Sequence, residues 1–188
     1  PSLTLVGFED EEIAKAVQRR ISTPHLRVYT TTDVVSMQIG GAIKNVFALA
    51  SGICAGLGLG DNARAALATR ALAEMTRLGL ARGGRMETFM GLSGMGDLVV
   101  TCYSEHSRNL TAGRMIAQGV PVGECQERIG QVVEGIPNTI SSYQLARKLD
   151  VRTPLTDAMY EILYTGKPAR QALVELMTRD LRAENVKD

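Results

Sequence analysis

Between Asp33 and Asp61 the chain runs VVSMQIGGAIKNVFALASGICAGLGLG, 27 residues that carry one charge, on Lys44. An apolar stretch of this length is either a membrane span or a helix buried on most of its faces. Gly52 and Gly56 even supply the GxxxG spacing found where membrane helices pack closely. Against a span, Gln38, Lys44 and Asn45 fall inside the segment, six glycines dilute it, and no second apolar stretch follows. The sequence therefore predicts the central helix of a soluble helical domain, with no transmembrane segment.

Burying an ammonium is costly unless it is paired, so Lys44 needs a reason. It either makes a structural ion pair, its stem lying along apolar surface, or projects into a cleft as an acid–base or anion-contacting group. Gly40 and Gly41, one turn earlier, are expected to strip side chains from that part of the helix and let a flat ligand approach. Asn45 adds a donor and an acceptor that an apolar core does not require. Lysine is also the cation whose proton affinity burial most readily changes, which suits proton transfer near neutral pH.

Composition narrows the function class. The 188 residues carry 21 Lys+Arg against 20 Asp+Glu, 45% hydrophobic and 22% charged residues, the balance of a globular chain. A net charge of +1 and eight aromatics without Trp give no basis for nucleic-acid binding. Cys54, Cys102 and Cys125 form no CxxC pair, and with two histidines, His25 and His106, no metal site is expected. This cysteine usage suits a reducing compartment, so a cytoplasmic location is expected. The chain opens at Pro1 without Met or a basic leader, which predicts no secretory signal and a piece of a longer protein.

Residues 1–7 and 26–30 read as strands and 9–20 as an amphipathic helix between them, the last unit of a parallel sheet whose other strands lie elsewhere. From Asp33, an N-cap candidate, the pattern becomes helical, with helices expected near 34–57, 62–82, 95–103, 107–118, 136–149, 154–165 and 168–179. Asp61 or Asn62 is the expected cap of the second. Pro154 and Pro168 suit first-turn positions, and Gly83, Gly84 and Gly166 act as stops. The fold class is mainly α: an all-helical domain over 34–188, preceded by a short β-α-β remnant over 1–33. The GLGLG run at 56–60 has GxGxG spacing and follows a helix, so it reads as a helix-ending loop rather than a dinucleotide fingerprint.

A second cluster occupies 93–109, SGMGDLVVTCYSEHSRN. Asp97 is either a first-turn acid opposing a helix dipole or the carboxylate that holds Lys44 charged and oriented. Ser107, Arg108 and Asn109 open the next helix. They read either as ordinary capping beside a solvated arginine or as an anion site built from helix N–H groups and a guanidinium.

GAIKNV (41–46), GDN (60–62), GDL with Thr101 and Cys102, SRN (107–109) and VEG (133–135) occur in that order. Together they resemble the NAD(P)-dependent glycerol-3-phosphate dehydrogenases, most closely the bacterial biosynthetic type, over nearly the whole chain; GAIKNV and SRN are the most specific parts. The resemblance implies reversible reduction of dihydroxyacetone phosphate to sn-glycerol 3-phosphate with NADH or NADPH, in glycerol-phosphate and phospholipid metabolism. It implies a Rossmann-type cofactor domain, ending at residues 1–33, followed by a helical substrate domain at 34–188. Lys44 would be the proton acceptor and a substrate contact. Asp97, Ser107, Arg108 and Asn109 would line the glycerol-phosphate site, and Arg108, Val132 and Glu134 would touch the cofactor. Asn45 and Thr101 would lie near the reacting centre. A homodimer is compatible with the resemblance.

One departure is large: no strand–GxGxxG–helix occurs in these 188 residues, so the main NAD(P)H platform is missing and the chain alone is expected to be inactive. Two other readings stand beside this one. A related reductase of branched hydroxy acids or ketopantoate would lack the substrate phosphate that SRN suits. A non-catalytic helical interaction module would use the apolar 34–60 segment to bind a partner.

Overall fold

The structure is a computed structural model that describes residues 1–181. Strands β1 (Ser2–Gly7) and β2 (Leu26–Thr31) pair in parallel, in register from Ser2 opposite Leu26 to Gly7 opposite Thr31. A parallel pair needs a crossover, and helix α1 (Glu11–Ile21) supplies it. This helix starts two residues later than expected because Asp10 stands outside it as the cap, its carboxylate accepting the N–H of Glu12 at 2.8 Å. Glu11 and Glu12 in the first turn and Arg19 and Arg20 in the last complement the helix dipole.

Helix α2 (Val34–Gly56) is the uncharged segment, capped by Asp33, whose carboxylate accepts the N–H of Ser36 at 3.1 Å. It is long and apolar enough to cross a membrane, yet 61% of its most apolar window is buried within the fold. One side, with Ile43, Phe47 and Ala48, packs against Met75, Leu78, Phe89 and Leu98. Another, with Val46, Leu49 and Ile53, joins Ala112, Val133 and Met159 in a second cluster. The helix is therefore the spine on which both halves of the core are assembled.

The elements around it are α3 (Asp61–Ala81), α4 (Met86–Phe89), α5 (Asp97–Tyr103), α6 (Arg108–Ala117), α7 (Val122–Ile129), α8 (Gly135–Lys148), α9 (Pro154–Tyr160) and α10 (Ala169–Met177). The expected cap of α3 is corrected: Gly60 takes the cap position, and Asp61 lies inside the first turn, where its charge opposes the dipole. Pro168 likewise sits at a cap rather than within α10, whereas Pro154 is in the first turn of α9. Two expected helices are composite. A π-helical turn, Leu92–Gly96, leads into α5, and another, Glu161–Thr165, extends α9 to the left-handed Gly166.

Gly52 and Gly56 do serve a helix crossing, but inside the protein. A Cβ placed on Gly52 would stand 2.9 Å from the Cα of Gly113 in α6, and one on Gly56 would stand 2.7 Å from the Cβ of Ala117. Backbone-to-backbone approach at this crossing seats the first turn of α6 beside the middle of α2.

Candidate active site

Helix α5 runs alongside α2, and the contact between them brings Asp97 to Lys44, 53 positions apart in sequence. Lys44 Nζ and an Asp97 carboxylate oxygen form a hydrogen-bonded ion pair, with side chains 20% and 35% exposed. The pair is thus shielded on the protein side and open on the other. Both readings of Asp97 are realised together, since it begins α5 and also holds the lysine. Thr101, one turn on, donates from Oγ1 to the Asp97 carbonyl at 2.5 Å, with the Asp97 Oδ1 at 3.4 Å.

The expected bare patch before Lys44 is half right. Gly41 has nothing within 4 Å of where a Cβ would stand, so this face is open to an incoming group. Gly40 is instead packed against the π-helical turn, a Cβ there falling 2.6 Å from the Ser93 carbonyl oxygen. Gly40 admits the protein's own backbone; Gly41 leaves space.

Asn45 is buried and both ends of its amide are used. Its Nδ2 donates to Glu134 Oε2 at 2.9 Å, and its Oδ1 accepts from Asn109 Nδ2 at 3.1 Å. Asn109 in turn accepts the N–H of Gly135 through Oδ1 at 2.8 Å. Ser107 caps α6, accepting the Leu110 N–H at 3.3 Å, and the exposed Arg108 reaches across to donate to the Val132 carbonyl at 3.0 Å. Two hydrogen-bonded groups result, Lys44 with Asp97 and Thr101, and Asn45 with Asn109 and Glu134, which meet where Lys44 and Asn45 follow one another on α2, while Arg108 reaches Val132. Asn109 is the buried strut of the second group, and Val132 is 60% exposed.

Asn138 was not anticipated: its Nδ2 donates to the Ala42 carbonyl at 2.9 Å, tying α8 to the turn of α2 just before Lys44. Its position one turn inside a helix that opens at Gly135 is the signal that could have found it. Cys102, next to Thr101, is no nucleophile, because burial pushes its thiol up to about 12. A cavity of about 700 Å³ lies among α2, α3, α9 and α10, is walled by Ile53, Leu67, Leu155 and Met159, and contains none of these groups.

A model of the NAD-dependent glycerol-3-phosphate dehydrogenase C-terminus matches residues 33–174. The chain belongs to this family. It is 53% identical over 184 residues to the glycerol-3-phosphate dehydrogenase [NAD(P)+] of Geobacter sulfurreducens, covering 98% of this chain and 55% of that protein. The Clostridium tetani protein of the same name is 48% identical, with 98% and 53% covered. The crystal structure of glycerol-3-phosphate dehydrogenase from Coxiella burnetii is similar at a TM-score of 0.89 and 40% identity, covering 93% of this chain and 54% of that one. A Saccharomyces cerevisiae glycerol-3-phosphate dehydrogenase gives 0.79 at 29% identity, over 88% and 48%. The chain spans about half the length of the relatives it matches. Membership sets aside the hydroxy-acid and ketopantoate reductases.

Proposed function

We propose that this chain is the substrate-binding and proton-transfer half of a cytoplasmic NAD(P)-dependent glycerol-3-phosphate dehydrogenase, interconverting dihydroxyacetone phosphate and sn-glycerol 3-phosphate. Residues 34–188 form the substrate domain, and 1–33 close the cofactor domain. The observation that carries the reading is the half-open Lys44–Asp97 pair on an otherwise uncharged helix, beside the open face of Gly41.

Oxidation of a secondary alcohol removes a hydride from carbon and a proton from the hydroxyl. The nicotinamide ring, when bound, accepts or gives the hydride. Lys44 Nζ handles the proton: as the neutral amine it takes it from the alcohol oxygen, and as the ammonium it returns it to the ketone oxygen. Asp97 holds the ammonium in orientation. The start of α6, with Ser107 and the Arg108 guanidinium, supplies donors for the substrate phosphate, so that binding energy remote from the reaction orients the reacting carbon. Asn109 fixes that helix start to Asn45, and hence to the turn carrying Lys44.

The residues present fit one edge of the cofactor. The open surface at Gly41 accommodates a planar ring, and the exposed Arg108, Val132 and Glu134 offer charge and apolar surface. Binding of the rest of the dinucleotide falls to the half that carries the Gly-rich turn, so the chain by itself turns over no substrate.

The test is Lys44→Met in the enzyme joined to its dinucleotide-binding half. The value of kcat should fall roughly 10²–10⁴-fold, the range for a general acid–base group. A kcat within about threefold of the parent would refute the role.

A further inference from the structure

We propose that Arg64 is a positioning residue for the Lys44–Asp97 pair, clamping the carbonyl end of α5 so that Asp97 stays in register with Lys44. The inference rests on the reading of that pair as the proton-transfer centre, and concerns a residue on a different helix, α3.

Arg64 is a half-buried cation, its side chain 13% exposed. Its Nη2 donates to the Cys102 carbonyl at 3.0 Å and its Nε to Ser51 Oγ at 3.3 Å, while Ser51 Oγ itself donates to the same carbonyl at 2.7 Å. The guanidinium also lies over the Tyr103 ring, 4.5 Å from its centroid. The nearest carboxylate, Asp61, is 3.9 Å away and 95% exposed, so it supplies little reason for the arginine to be half-buried. The hydrogen bonds and the ring contact converge instead on the last turn of α5. Carbonyls there have no partner within the helix and carry the negative end of its dipole, and a guanidinium satisfies both conditions.

The geometry links this clamp to the reacting pair. Lys44 and Ser51 are seven residues apart on α2, close to two turns, and so share a face. Asp97 and Cys102 are five apart on α5, about 7.5 Å along its axis. The two helices are thus joined at both ends, Lys44 to Asp97 at one and Ser51 with Arg64 to the Cys102 carbonyl at the other. Leu98 and Cys102 bury α5 in the core, but apolar contact is non-directional and lets a short helix slide. Two directional bonds onto one carbonyl fix how far along α2 it sits.

The experiment is a double-mutant cycle in the enzyme joined to its cofactor half, with dihydroxyacetone phosphate as substrate. Arg64→Met keeps the length and removes the donors. It should lower kcat about tenfold, less than the hundredfold that a full ångström of misplacement can cost, with KM within about twofold. Arg64→Lys, which can still donate to the carbonyl, should recover most of the rate. In an Asp97→Asn background, Arg64→Met should cost less than about twofold, because the register it protects no longer matters. An arginine that merely supports the fold would weaken both backgrounds by the same factor, and that result overturns the proposal, as does an unchanged kcat. If Arg64→Met does not fold, Ser51→Ala removes the other donor and should show the same dependence on Asp97 at about threefold. If Asp97→Asn alone leaves kcat intact, the pair itself is misread and the clamp falls with it.

Discussion

The same substitution, glycine to alanine, should have opposite signs at two positions of α2. At Gly52 the new Cβ would stand 2.1 Å from the Leu110 carbonyl oxygen and 2.9 Å from the Gly113 Cα. Carbon and carbonyl oxygen rest at about 3.3–3.6 Å, so α2 and α6 must part by roughly 1.2–1.5 Å. Overpacking of this kind costs about 1–3 kcal/mol. Alanine returns about 1 kcal/mol through helix propensity, leaving a net loss of about 2 kcal/mol when the clash sits at the upper end of that range, as backbone meeting backbone requires. At Gly41 nothing lies within 4 Å, so the propensity gain stands alone. For a domain of this size 1 kcal/mol moves Tm by about 2–4 °C, so Gly52→Ala should melt roughly 4–8 °C below the parent and Gly41→Ala roughly 2–4 °C above it. Circular dichroism melts of the three proteins decide the matter. Equal Tm values for the two variants would refute the claim that the crossing is set by backbone contact.

Gly41→Ala has a second readout in the assembled enzyme: if ligand lies on that face, the added methyl should lower kcat/KM roughly 10–200-fold despite the higher Tm, and unchanged kinetics would move the ligand elsewhere. Glu74, buried under the start of α9, accepts the Leu155 N–H at 2.6 Å and the Thr156 N–H and hydroxyl at 3.1 and 3.0 Å, yet burial dominates and raises its carboxyl to about 7. The folded state then holds a proton that the unfolded chain releases near 4.5, so this contribution to stability is fully present below pH 4.5 and is lost as pH rises through 7. Urea titrations should show the stability advantage of the parent over Glu74→Gln shrinking by on the order of 3 kcal/mol across that window, and a difference independent of pH would contradict the burial argument.

The backbone of the site was legible where it is written locally. Asp33 and Ser107 act as caps, Gly166 stops its helix in the left-handed conformation, and the isolated charge in 34–60 marked Lys44. Short elements were harder. Helix α7 went unread although Val122, Cys125 and Ile129 lie on one face and the left-handed Gly130 closes it, because eight residues give too little periodicity to stand out. The two π-helical turns have no sequence signal at all, since an extra residue in a turn is imposed by what packs on either side. The partners of Asn45 were equally hidden: its amide meets Glu134 and Asn109, 89 and 64 positions away, and such distances are set by the tertiary crossing of α2 with α6 and α8. Arg64 was hidden for the same reason, its partners Ser51 and Cys102 lying 13 and 38 positions away.

That α2 is the spine also has a consequence for synthesis on the ribosome. Its apolar faces are covered by α5, α6 and α8, all of which follow it in the chain, the last ending at Lys148. At about 5–20 residues per second, the roughly 90 residues from Gly56 to Lys148 take on the order of 5–20 s to emerge. Early in that interval the 23-residue apolar helix has only α3 to fold against, and its remaining faces are covered one by one as α5, α6 and α8 emerge. A circular permutant that brings α6 and α8 out ahead of α2 would shorten the exposure, and the yield of soluble protein in a chaperone-depleted translation extract should rise accordingly.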